Sequence, residues 1–161
     1  MFFLLSLLNV FAGVIMTADD VIKRLNLVPH PEGGYFRETY RSDEIISKFA
    51  LPERYNGDRV FSTAIYFLLQ SNENHLVHRL KSDEIWHFYL GSPLLIRYYQ
   101  DENDVKEIIL GNNLLNNEVP QLLIPRITWM VARPIAENSF TLVGCTNSPG
   151  FEFDDFEIKQ F

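Results

Sequence analysis

The stretch His78-Arg79-Leu80-Lys81-Ser82-Asp83-Glu84-Ile85-Trp86-His87-Phe88-Tyr89-Leu90-Gly91 holds the densest chemistry in this 161-residue chain. Three of the four histidines, His75, His78 and His87, fall in it or just before it, beside a carboxylate and a tryptophan. Strand alternation puts Leu76, His78 and Leu80 on one face, and Glu84, Trp86, Phe88 and Leu90 on one face of the next run. Ile85, His87 and Tyr89 then point the opposite way. The polar break Lys81-Ser82-Asp83 predicts that the two runs pair as a hairpin. His78 and Glu84 both sit among apolar neighbours, so both are expected to face inward. A buried carboxylate has to be paired or protonated, and an imidazole is a natural partner. Groups perturbed in this way gather at functional sites, although the same pair could simply brace the hairpin.

Outward from this stretch the pattern is one of short strands. Candidates span 35–41, 60–69, 75–80, 84–90, 94–99, 105–110, 121–124, 128–135, 140–146 and 151–158, separated by Gly, Pro, Asn and Ser turns. Many short strands without intervening helices indicate a sandwich or barrel. Ahead of them, Thr17-Ala18-Asp19-Asp20 has capping-box character, and Ala18, Val21, Ile22 and Leu25 keep helical spacing, which predicts a helix over about 18–26. Pro29 and Pro31 stop it, Glu32-Gly33-Gly34 reads as a turn, and 42–58 as a polar excursion. The acidic run 152–157 reads as a last strand with a solvated face.

Hydrophobic residues make up 47% of the chain and charged residues 22%, a globular balance. The net charge of -7 and the lack of any Lys/Arg run argue against a nucleic-acid partner, which needs a basic face. The single cysteine, Cys145, excludes an intrachain disulfide and lies in an apolar strand, where a buried structural thiol is expected. Residues 1–15 carry no charge, yet fall short of a membrane span and lack the basic start of a signal peptide. They divide the chain into an apolar extension, 1–16, and a single domain, 17–161. The extension reads as an over-long start ahead of Met16, a signal or anchor, or an extra strand. The expectation is a cytoplasmic protein, with secretion or anchoring through 1–15 as the alternative.

The spacing His78-x-Leu80-x-x-x-Glu84, followed by six residues and Gly91, resembles the first cupin motif, His-x-His-x(3,4)-Glu-x(6)-Gly, with Leu80 in place of the second histidine. Pro125-Arg-Ile-Thr-Trp-Met130 resembles the second, Pro-x-Gly-x-x-His, with Ile127 at the glycine and Met130 at the histidine. Pro31-Glu-Gly-Gly-Tyr-Phe-Arg-Glu-Thr-Tyr40, the stretch from His78 to His87, Tyr89-Leu-Gly-Ser-Pro93 and Pro149-Gly-Phe-Glu-Phe-Asp-Asp-Phe-Glu157 are similar to a small cupin family known as a domain of unknown function. The resemblance spans about 18–159. It implies an all-β double-stranded β-helix, or jelly roll, with a short N-terminal helix, of the deoxysugar-epimerase type, packed as a homodimer around a barrel pocket. It supplies no reaction.

Within that frame the residues leave three readings open. A small polar metabolite could bind in the pocket and undergo metal-independent isomerisation or epimerisation. His78 would then act as base with Glu84 fixing its tautomer, Trp86, Tyr98 and Trp129 would form stacking walls, and Arg37 would hold an anionic group. Alternatively a divalent metal on His78, Glu84 and His87 would serve an oxygenase or isomerase. Only His78 and Glu84 match motif ligands, and catalytic metal sites generally offer three. Strict alternation also turns His87 away from Glu84. A storage or scaffold protein with a filled barrel is the third reading.

Overall fold

The computed structural model describes residues 16–159; the apolar stretch 1–15 and the alternatives attached to it lie outside the described residues. The described residues open on a capping box. The Thr17 hydroxyl accepts from the Asp20 N–H at 3.2 Å, and the Asp20 carboxylate accepts from the Thr17 N–H at 3.0 Å. This ties down two N–H groups that a helix leaves without partners. Helix α1 runs Ala18–Leu25 and stops one residue earlier than its periodicity implies. Asn26 turns left-handed there (φ 52°), a conformation asparagine tolerates better than most residues.

The strands follow as β1 (Val28–Pro29), β2 (Tyr35–Arg41), β3 (Ile45–Ile46), β4 (Arg59–Val60), β5 (Thr63–Gln70), β6 (His78–Leu80) and β7 (Asp83–Gly91). Then come β8 (Leu94–Tyr99), β9 (Lys106–Leu110), β10 (Gln121–Ile124), β11 (Trp129–Pro134), β12 (Phe140–Ser148) and β13 (Phe156–Ile158). One sheet has the order β1-β2-β5-β12-β7-β10 and the other β13-β6-β11-β8-β9, with β3 and β4 pairing separately. The fold is an all-β jelly roll with one short helix. Between the sheets, Phe67, Leu69, Trp86 and Val143 meet Leu94, Ile96, Leu110, Met130 and Ala132 in one buried core. On the outer face of the larger sheet, Val21 of α1 and Leu27 just beyond it cover Leu68 and Leu142. Each such side chain, fully buried, contributes roughly 1.5–3 kcal/mol.

The hairpin expected between 75–80 and 84–90 does not form. β7, nine residues long, pairs with β12 and β10, while the three-residue β6 pairs with β11 and β13 in the opposite sheet. Lys81 and Ser82 therefore carry the chain across the sandwich. Backbone pairing fixes this corner: the Lys81 N–H donates to the Asp155 carbonyl at 3.1 Å. The Lys81 carbonyl accepts from Arg54 Nε at 2.8 Å and from the Tyr55 hydroxyl at 3.3 Å. The 42–58 excursion, read as merely polar, thus buttresses the crossing, and it contains β3 and a 3-10 turn, Lys48–Ala50. The run 60–69 breaks at Phe61-Ser62, and of 151–158 only β13 is strand, after a 3-10 turn at Phe153–Asp155.

Candidate functional site

A cavity opens between the sheets, enclosing about 680 Å³ of space that includes its mouth. Its inner wall is built by β5 (Thr63, Ile65, Phe67), β7 (Glu84, Trp86) and β12 (Cys145, Asn147), faced by His78 and Leu80 of β6. The segment 151–156 closes it with Phe151, Phe153 and Phe156, and Phe36 and Phe67 pack edge-on to His30. An aromatic lining with a few polar groups is what a small-molecule site requires.

Glu32, which the sequence reading assigned to a turn, and His30, which it did not single out, enter this cavity from the loop before β2. Gly33 and Gly34 make that possible. Their φ values are 99° and 76°, and a Cβ would lie 2.4 Å from the Asn74 carbonyl at Gly33 and 2.5 Å from that of Leu68 at Gly34. Only glycine lets the loop lie so close to its neighbours and swing Glu32 inward. Glu32 Oε2 stands 3.3 Å from His78 Nε2 and 3.7 Å from His30 Nδ1.

Hydrogen bonds set the tautomers. His78 Nδ1 lies 3.1 Å from the Leu76 carbonyl, which only accepts, so Nδ1 carries the proton and Nε2 presents its lone pair to Glu32. His30 Nδ1 accepts from the Glu32 N–H at 3.3 Å, so its proton is on Nε2. Burial holds both imidazoles neutral, bringing each down to about 4, against a weaker upward pull on His78 from the Leu76 carbonyl. Burial, with the nearby Glu84 carboxylate, pushes Glu32 well above the usual carboxylate range. With both groups uncharged, the 3.3 Å contact between Glu32 and His78 buries no net charge. Glu84 is separate: burial raises it to about 7, partly offset by the Trp86 indole N–H donating to its Oε2 at 2.7 Å.

The expected His78–Glu84 partnership is therefore corrected. Both line the cavity, but they come from opposite sheets, and His78 faces Glu32 while Glu84 holds Trp86. Trp86 is the one expected aromatic wall that lines the cavity. Tyr98 belongs to the core beside Met130, and Trp129 lies under Arg79, 4.3 Å from guanidinium carbon to ring centre. Arg37 lies over the Tyr66 ring at 5.5 Å on the outer face; alternation on β2 brings Phe36 and Glu38 inward instead. At the mouth, Arg41 rather than Arg37 is present. It donates to Glu38 at 3.0 and 2.9 Å, to Glu152 at 2.6 Å and to the Phe151 carbonyl at 3.2 Å. The acidic run 152–157, read as solvated, supplies the cavity's aromatic cover. Cys145 is buried as expected, its thiol pushed up by burial.

The residues do not fit a resident metal. Leu80 and Met130 occupy two histidine positions of the cupin motifs. His87 faces out of the cavity towards Gln121, 3.2 Å away, as alternation requires. The lone pair of His30 Nδ1 is taken by the Glu32 N–H. Among the described residues no three His, Cys, Asp or Glu side chains are arranged to hold a metal ion. The motif substitution at Ile127 has its own signature: this β-branched residue sits at φ 58°, the conformation a glycine there adopts without cost.

The family model described as "Cupin superfamily (DUF985)" matches residues 19–159. A hypothetical protein from Leishmania major is 34% identical, with a TM-score of 0.79 covering 90% of this chain and 88% of that one. A Shewanella oneidensis protein is 38% identical, with a TM-score of 0.78 over 91% and 86%. The Saccharomyces cerevisiae protein YML079W, described as uncharacterized, is 28% identical over 155 residues, 85% of this chain and 72% of its own length. No helix among the described residues is long and apolar enough to cross a membrane.

Proposed function

Because this chain belongs to the cupin superfamily, in the family described as DUF985, we propose that its cavity binds a small polar metabolite and moves a proton on it. The reaction class is metal-independent isomerisation or epimerisation. One observation carries the reading: His78 and Glu32 share a buried, neutral contact of 3.3 Å that lines an aromatic cavity. The Leu76 carbonyl holds the His78 Nδ1 proton, so Nε2 is the basic atom. When Nε2 takes the Glu32 proton, the imidazolium and the Glu32 carboxylate stabilise each other; when it takes one from a substrate carbon, the imidazolium faces the enolate left on the substrate and Glu32 keeps its proton. The cavity supplies what such a step needs: few competing waters and a base kept uncharged by burial. His30, with its proton on Nε2, is a second donor on the same wall.

A thermal-shift screen of metabolites, followed by solvent-deuterium incorporation into each binder, tests this. The expected result is a binder that gains deuterium with the wild-type protein and not with His78→Ala. If every ligand found binds His78→Ala with unchanged affinity, the reading is wrong.

A further inference from the structure

We propose that the cavity is selective for a small organic ammonium compound, held through its cationic head at Glu84 and through its body against the Phe and Trp rings. This rests on the small-molecule reading above and names the substrate class it left open.

The charges that line the cavity favour a cation. Four carboxylates, Glu32, Glu38, Glu84 and Glu152, line the cavity, and Arg41 is the single Lys or Arg among its lining residues. Arg41 is already committed, with Nε and Nη2 on Glu38, Nη1 on Glu152, and Nη2 also on the Phe151 carbonyl. A phosphate or carboxylate entering here would meet two carboxylates at the mouth and no uncommitted guanidinium or ammonium among the lining residues. Buried anions need such a partner.

Glu84 offers that cation its seat. It is 7% exposed and lines the cavity. One oxygen accepts from Trp86 Nε1; the other has no hydrogen-bond partner among the described residues. The groups around it leave it without a cation. Burial holds the His78 imidazole on β6 down at about 4 and pushes Glu32, from the loop before β2, and the Cys145 thiol on β12 well above their ordinary values. Further out stand neutral His30 and the Glu38–Arg41–Glu152 group at the mouth. A carboxylate without a counter-charge, in a chamber walled by Phe36, Phe67, Trp86, Phe151 and Phe156, is complementary to an ammonium. The ring faces attract the cation as well.

The protonation of Glu84 makes the claim measurable. An ammonium binds the ionised form, whose population rises as pH passes about 7. Benzylamine, benzyl alcohol and benzoate serve as cationic, neutral and anionic probes of one shape, titrated calorimetrically into wild type and Glu84→Gln. Benzylamine is expected to bind tightest and to gain about tenfold in affinity between about pH 6 and about pH 8, following ionisation of a group near 7. In Glu84→Gln, with its fold checked by circular dichroism, both the preference and the pH dependence should vanish. Benzoate binding more tightly, or benzylamine binding that is flat with pH, overturns the proposal. Benzyl alcohol binding without benzylamine overturns the ammonium claim but leaves the small-molecule reading standing. If none of the three binds, both fall.

Discussion

Two buried ionisable pairs lie almost side by side in this molecule and follow opposite rules. Arg59 and Asp155 form a closed ion pair, with Nε and Nη2 each 2.6 Å from a carboxylate oxygen and side-chain exposures of 3% and 0%. The remaining Nη1 donates to the Asp58 carbonyl at 2.7 Å, and Lys81 adds a second cation 3.7 Å from Asp155. His78 and Glu32 lie just across Phe156, whose ring centre is 5.4 Å from that of His78, but they meet by a single contact of 3.3 Å. One pair is bidentate and committed; the other meets at a single contact and lines a cavity. Fully satisfied geometry locks an element in place, whereas a loose neutral pair keeps a proton available. The first belongs to the architecture and the second to the chemistry.

Substitutions should separate the two. Asp155→Ala leaves Arg59 buried without its counter-charge and should cost about 3–5 kcal/mol in chemical denaturation, the typical penalty for breaking a buried pair. Glu84 gives the next largest effect, through pH. Its folded value of about 7 lies above the ordinary glutamate value of 4.5, so the folded state holds a proton that the unfolded state has lost. Its stabilising contribution is full below about 4.5 and declines as pH rises to about 7, by about 3 kcal/mol in all. The stability of Glu84→Gln relative to wild type should grow by that amount over this window. A difference that stays constant with pH would refute the assignment.

His30 and His78 act in the reverse sense. Held at about 4 in the fold and near 6.5 outside it, they cost stability as pH falls from 6.5 towards 4. Between about 4.5 and 6.5 the two histidines and two glutamates therefore offset one another in wild type, and the falling limb should show above that range.

His78→Ala should lower proton transfer to a bound substrate by about a hundredfold or more, a usual share for a general acid–base group. Glu32→Gln keeps a neutral hydrogen-bonding side chain, so it should lose activity with less than about 1 kcal/mol of stability, since no buried charge is stranded. If it unfolds the protein as Asp155→Ala does, the contrast between the pairs is void. The smallest effect is expected at Ile127, where Gly removes the strain of a positive φ and should stabilise by about 1 kcal/mol, read as a higher melting temperature.

The fold was readable from the sequence because strand alternation is local. The inward set Glu84, Trp86 and the outward set Ile85, His87 follow from period two alone, and the Thr17 box announces its helix. The site was readable only in part. His78, Glu84 and Trp86 reach the cavity as expected, but their partners come from elsewhere. Periodicity says which face a residue takes, not which sheet its strand joins, so the two-residue crossing at Lys81-Ser82 passed for a hairpin turn. Glu32 precedes two glycines, and that context hides its inward course. The available signal was an acidic residue placed directly before a Gly-Gly pair that presses the loop against β5. The run Glu152-Phe153-Asp154-Asp155-Phe156-Glu157 looks solvated because its four acids outnumber its two aromatics, yet Asp155 is spent on Arg59 and the rings turn inward.

The closing role of 151–156 also bears on how the protein is made. Synthesis runs from the N-terminus, so the strands that line the cavity leave the ribosome before the segment that covers it. Until Asp155 has emerged to reach Arg59, His78 lacks its Phe156 neighbour and the aromatic walls face water. A nascent chain of this protein thus carries an open, adhesive cleft that the finished one does not. Its ligand has no completed cavity to bind until translation has passed that point.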